Sequence, residues 1–193
     1  MPNDNVRNIN VQLLSDNWYT LNKITFDYLN DRGVWETQHR ESYDRGNGAA
    51  ILLYNTTKKT VILTKQFRMP TYVNGNDDGM MIEVCAGVLD GDEPEKCAIK
   101  ETEEESGYKV TKIEKVMETY MSPGAVTEIL HLFIAEYTDE MKVNEGGGLD
   151  NEHENIEVIE MLFSEAFEMV KNKGVVDAKT ILLLQYAQIN QLF

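Results

Sequence analysis

Residues Gly87–Tyr108 read GVLDGDEPEKCAIKETEEESGY. Pro94 suits the first turn of a helix and Gly107 its end, so the spacing predicts a helix over Pro94–Glu105. The acids Asp90, Asp92, Glu93, Glu95, Glu101, Glu103, Glu104 and Glu105 are opposed only by Lys96 and Lys100. Each residue advances a helix by about 100°, which puts Glu101 and Glu105 about 40° apart on one face with Glu104 at its flank. Like charges at these spacings cost roughly 0.2–0.5 kcal/mol per pair. The last turn is also the negative end of the helix dipole, where acids are disfavoured. Two readings follow. One is a solvated acidic face. The other is a set of oxygen ligands for a hard divalent cation, Mg²⁺ or Mn²⁺, which would in turn carry the phosphates of a ligand.

Outward from this helix the apolar runs are short. Ala49–Tyr54 and Val61–Phe67 flank a polar turn and predict a hairpin. Met80–Val84, Ile113–Met121, Glu128–Tyr137 and Ile156–Phe163 predict further strands. Residues 138–155 form a polar loop around Gly146-Gly147-Gly148. Ser164 and Asp177 are candidate N-caps for two closing helices, to about Lys171 and about Gln191. Before Gly46-Asn47-Gly48, the alternation of Ile24, Phe26 and Tyr28 and the extended stretch Val34–Arg45 predict a small antiparallel unit. Residues 1–10 read as polar and loose. Single helices among strands give a mixed α/β (α+β) class, with a boundary between residues 1–45 and 46–193.

The chain has 193 residues, 42% apolar and 26% charged, which supports one main core with a small addition. Eighteen basic against thirty-three acidic side chains give −15. Such a charge repels nucleic acid and anionic membrane surfaces. No run reaches the roughly 18 apolar residues of a membrane span. MPNDNVRNIN carries no secretory pattern, so a cytoplasmic protein is expected. Cys85 and Cys97 match no metal or redox spacing and read as buried thiols.

The quoted stretch resembles the signature box of the Nudix hydrolases: Gly, five residues, Glu, seven residues, Arg-Glu, an apolar residue, any residue, Glu-Glu, any residue, Gly, apolar. Gly87 and Glu93 match its first spacing. Glu101, Glu104, Glu105, Gly107 and Tyr108 match its end. In three places the chain departs from it: six residues rather than seven precede Lys100, Lys100 replaces the usual Arg, and Thr102 stands at the apolar position. SDNWYTL, RESYDRGNGAAILLYN, QFRMPTYVNGN, IEVCAG, YMSPGAVTEILHLFIAEY and KTILLLQY extend the likeness to the ADP-ribose pyrophosphatase branch and its GDP-mannose-cleaving members, over about residues 13–187.

The resemblance implies an α/β/α Nudix sandwich and a small N-terminal antiparallel sheet exchanged in a homodimer. It implies Mg²⁺-dependent hydrolysis of a nucleoside-diphosphate sugar, GDP-mannose first, with ADP-ribose as the alternative and a non-hydrolysing nucleotide-sugar binder as the rival class. Glu101 and Glu105 would be the main metal ligands, joined by Glu104, the Ala86 carbonyl and a late glutamate, Glu154. Gly87 would approach the substrate.

The remaining candidates also have physical readings. Trp18 can stack on a base. Arg40 and Glu41, adjacent on a strand, point to opposite faces, and His39 stands where related enzymes carry a basic contact residue. Arg68 can grip a phosphate bidentately. Glu128 can bind sugar hydroxyls, and Lys179 can reach a phosphate or the sugar; each of these residues equally suits a surface or packing role. Water attack needs a base, and Glu152 and Glu154 are equal candidates, with Glu105 beside them as a catalytic carboxylate. His131, in an apolar strand, reads as structural.

Overall fold

A computed structural model describes residues 3–149 and 153–193. They form two compact units. One is the segment up to Asn47 together with Tyr120–Ile129, and the other is Gly48–Thr119 with Leu130–Phe193.

The first unit is an antiparallel sheet of β1 (Val6–Ser15), β2 (Thr20–Leu29) and β3 (Trp35–Asp44), in that order. The expectation of a loose segment over residues 1–10 is overturned, because Val6–Ser15 pairs along β2. Its Ile9, Val11 and Leu13 alternate with polar residues as a strand requires, yet all three are exposed. The outer edge of β3 receives the 120–129 segment: Tyr43 N–H donates to the Ala125 carbonyl at 2.8 Å and Thr127 N–H to that of Tyr43 at 3.1 Å. Among the described residues up to Asn47, none is buried.

The second unit holds the core. Its sheet runs β10 (Glu157–Leu162), β5 (Thr60–Phe67), β4 (Gly48–Asn55), β9 (Ile129–Glu136), β8 (Glu114–Tyr120). β4 and β9 are parallel. The expected hairpin of β4 and β5 is present but pairs only near its turn, Leu53–Asn55 with Thr60–Ile62. Beyond that the two strands part. β6 (Met80–Glu83) continues beside β5, and β7 (Cys85–Val88) beside β4. Val84, between them, gives its N–H to Thr180 Oγ1 at 2.8 Å instead of to a strand; a buried donor must find some partner.

β4 is buried on both faces, the pattern of a sheet covered from both sides. Ala49, Ile51 and Leu53 belong to a core with Cys97 and Ala98 of α2 (Pro94–Glu101). Ala50 and Leu52, pointing the other way, are equally buried, and α4 (Ala178–Ile189) packs on the same strand with Leu183, Leu184 and Ala187 fully buried. This is the expected α/β/α arrangement. α1 (Met69–Val73) is a short turn after β5, and α3 (Phe163–Lys171) packs on β10 and β5. Asp177 caps α4 as expected, accepting from Thr180 N–H. Ser164 does not cap α3: the helix already begins at Phe163, with Leu162 in the cap position.

Candidate functional site

The acidic helix is not α-helical to its end. Pro94 opens α2 after an extended Glu93, but Thr102–Ser106 forms a wider π-turn, stopped by Gly107 at φ 79°. Thr102 and Ser106 are buried there because their hydroxyls bond back along the helix, to the Ala98 carbonyl at 2.7 Å and the Thr102 carbonyl at 2.5 Å. Such turns recur at functional sites. This one turns Glu105 inward until it is 1% exposed. Its Oε2 accepts the Ala86 N–H at 3.2 Å. Glu101 lies against Gly87, where an added Cβ would overlap its carboxylate and come within 2.7 Å of its Cγ. Glu104 is drawn to Lys100 at 3.1 Å.

The charge environment of Glu105 is hostile to a carboxylate. Burial, then the charges of Glu101 and Glu154, push it up to about 8, against the weaker pull of the Ala86 N–H and Arg68. Burial and then Glu105 itself push the neighbouring Cys85 thiol well above its usual range. Both cysteines are free and buried. An all-oxygen donor set that repels itself suits a hard divalent cation. Among the described residues no three His, Cys, Asp or Glu side chains close into a tight metal cage.

A second buried carboxylate, Glu83, ends β6. It is 3% exposed. Arg68 grips it at two points, Nε at 2.8 Å and Nη2 at 3.0 Å, and Lys179 Nζ lies at 2.6 Å. Lys179 also pairs with Asp177 at 3.0 Å. Burial alone would raise Glu83, but the two cations overcome it and hold the carboxyl at about 2. Arg68 and Lys179, expected at the substrate, are thus brought together on an anion that the sequence reading missed. Their partners are distant in sequence, and a lone Glu at a strand end carries no signal of its own.

The loop after β9 supplies the next element. Val143 N–H donates to the Gly107 carbonyl and Gly147 N–H to that of Glu105, both at 2.8 Å. Gly148 N–H donates to the Glu104 carbonyl at 3.1 Å. Carbonyls at a helix end lack partners of their own, and the loop provides them. Glu154 returns to this loop, where its Oε2 accepts from Leu149 N–H at 3.0 Å. Glu152 lies outside the described residues.

The other candidates sit in the first unit. Trp18 is 82% exposed in the turn between β1 and β2. On β3, His39 Nδ1 meets Thr25 Oγ1 at 2.9 Å, and Arg40 bonds the His39 carbonyl at 2.7 Å and Gln38 Oε1 at 2.9 Å. Arg40 and Glu41 line a cavity of about 570 Å³ with Tyr120 and Pro123–Thr127. Glu128 pairs with Arg45 at 3.5 Å. In the second unit, His131 meets Glu118 at 3.2 Å.

Residues 44–183 match the NUDIX domain, and residues 5–43 match the GDP-mannose pyrophosphatase NudK N-terminal domain. The chain belongs to the Nudix family. It is similar to proteins named GDP-mannose pyrophosphatase from three bacteria. Identity is 57% with that of Cronobacter sakazakii over 96% of both chains, and 55% with that of Yersinia enterocolitica over 97% of both. It is also 55% with that of Escherichia coli K12, over 94% of both.

As a Nudix hydrolase it belongs to enzymes that generally work with a divalent metal, and the carboxylates around Glu105 are the donors that fit one. The departures from the Nudix box have local explanations. Thr102 can stand buried at the apolar position because its hydroxyl donates to the Ala98 carbonyl. Lys100 remains near the box through its pair with Glu104. Glu93, displaced by the shortened spacing, is exposed and extended just before Pro94. Among the described residues no helix is long and apolar enough to cross a membrane.

Proposed function

We propose that this Nudix hydrolase cleaves the diphosphate of GDP-mannose with water, giving GMP and mannose 1-phosphate. The observation that carries the reading is Glu105, a buried carboxylate held beside Glu101 and Glu154 with too little positive charge to neutralise it. Glu101, Glu105 and Glu154, with Glu104 and the Ala86 carbonyl, would hold Mg²⁺, for which Mn²⁺ is a substitute. When bound, the cation neutralises the diphosphate and acidifies water. Glu152 or Glu154, both of the late loop, would accept the proton of the attacking water. Gly87, whose bare Cα makes room for Glu101, would also approach the substrate. Arg68 and Lys179 face the phosphates from their anchorage on Glu83. The choice of GDP-mannose rests on the near-full-length likeness to proteins of that name.

Trp18, His39, Arg40, Glu41 and Glu128 would recognise the nucleoside and the sugar. Their unit, residues 1–45 in the main, is exchanged between two subunits in the cytoplasmic enzyme. Support for the dimer comes from the first unit: it has no buried residue among those described, and β1 is an edge strand bearing exposed Ile9, Val11 and Leu13. Three strands without a core need a partner to be stable, and an apolar edge is a template for pairing.

A panel of nucleotide sugars incubated with the protein and Mg²⁺, with products resolved by chromatography, tests the activity. Turnover should be highest on GDP-mannose and yield both monophosphates. Preference for ADP-ribose would change the base assignment, and no turnover of any diphosphate would overturn the reading. Light scattering should give twice the chain mass.

A further inference from the structure

We propose that Gly148 is a positioning residue that holds Glu154 in place by lending it the space a side chain would fill. This rests on the reading above that Glu154 serves the hydrolysis. The strand of loop from Val143 to Leu149 is bonded to the end of the acidic helix through three carbonyls, those of Gly107, Glu105 and Glu104. Its last link, Gly148 N–H to the Glu104 carbonyl, is followed at once by Leu149 N–H to Glu154 Oε2 at 3.0 Å. The chain of contacts therefore runs from a glutamate of the helix, through two successive backbone amides, to the late glutamate of the loop. A Cβ on Gly148 would overlap Glu154 Oε2 and lie 2.6 Å from its Cβ. Glu154 cannot keep this place if residue 148 has a side chain.

The positive φ of Gly148, +81°, offers a competing reason for glycine. Gly147 separates the two. Its φ is +107°, so an alanine there is at least as strained, yet its Cβ would meet only the Ile156 carbonyl at 3.6 Å, an ordinary contact. Backbone strain is common to both positions, and displacement of Glu154 belongs to Gly148 alone.

The test compares wild type, Gly147→Ala, Gly148→Ala, Glu154→Ala, Glu154→Gly and the two glycine variants in the Glu154→Gly background. Each is assayed for kcat and KM on GDP-mannose with Mg²⁺, for Mn²⁺ affinity of the substrate-free protein by calorimetry, and for thermal melting. Gly148→Ala should lower kcat at least about tenfold beyond Gly147→Ala, with KM moving less than kcat. It should weaken Mn²⁺ binding by about 10–100-fold, the usual effect of losing a group that orients a ligand. In the Glu154→Gly background, which removes the Cβ as well as the carboxylate, the difference between the two glycine variants should vanish. Equal effects of the two glycine variants, or a difference that persists without Glu154, would overturn the inference while leaving Glu154's role intact. A fully active Glu154→Ala with unchanged Mn²⁺ affinity would remove that role and the inference with it. Should Gly148→Ala alone not fold, its melting in the Glu154→Gly background decides: restored melting supports the shared space, and no restoration refutes it.

Discussion

Glu83 and Glu105 are both buried carboxylates of the same unit, 3% and 1% exposed, yet they titrate at opposite extremes. At Glu83 burial is overcome by Arg68 and Lys179, and the group is held at about 2. At Glu105 burial is reinforced by Glu101 and Glu154, and the group is pushed to about 8. One corner is neutralised by the protein's own cations. The other is left short of positive charge, and so has a use for a cation from solution. Burial alone does not mark a functional acid; the sign of the surrounding charge does.

The largest effect should come from removing the unsatisfied member. Glu105→Gln should cut kcat by about a thousandfold, because a bound cation supplies several kcal/mol to the reaction. The same variant should melt no lower than wild type without divalent cations near pH 7, since a carboxyl pushed up to about 8 is already largely protonated there and glutamine keeps an uncharged acceptor for the Ala86 N–H. A large fall in cation-free melting would mean Glu105 is structural, and the contrast would collapse.

Glu83→Gln should do the reverse. It strands two cations around a neutral amide, and breaking a buried ion pair costs about 3–5 kcal/mol. Chemical denaturation would read this loss. A destabilisation under about 1 kcal/mol would show that Arg68 and Lys179 do not depend on Glu83.

The two glutamates should also respond to pH in opposite senses in the cation-free protein. Glu83's folded value lies below its ordinary 4.5, so its contribution is complete above that pH and is lost as pH falls from 4.5 towards 2. The span corresponds to about 3 kcal/mol. Glu105's folded value lies above 4.5, so the folded state binds the extra proton and stability falls as pH rises from 4.5 through 8. Melting curves across both windows check the signs. Divalent cations should restore the loss at high pH and leave the acid limb unchanged, and their binding near pH 7 should release a proton. The smallest effect is expected from Arg68→Lys, which keeps the charge beside Glu83 but gives up the two-point grip, at about 1 kcal/mol.

The contrast was only half legible in the sequence. Glu101, Glu104 and Glu105 announce themselves by spacing within one helix, a local property, and the central strands announce themselves as apolar runs. Glu83 does not, because its partners lie 15 and 96 residues away and only the folded sheet brings them together. The π-turn is equally hidden, since TEEES suits an α-helix as well as a wider turn. The first half of β1 is hidden for another reason: its apolar residues stay exposed among asparagines, and without a buried face the period-two pattern is faint. The lining of Glu154 by Gly148 depends on what approaches a glycine, which no single-residue preference records.

The first turn of α4 does more than close the chain. Asp177 caps it, Lys179 neutralises Glu83, and Thr180 secures the Val84 amide two residues ahead of Ala86. A premature stop codon at position 177 would therefore spare every letter of the acidic motif and still silence the gene, and a screen for damaging alleles that inspects the motif alone would pass over it.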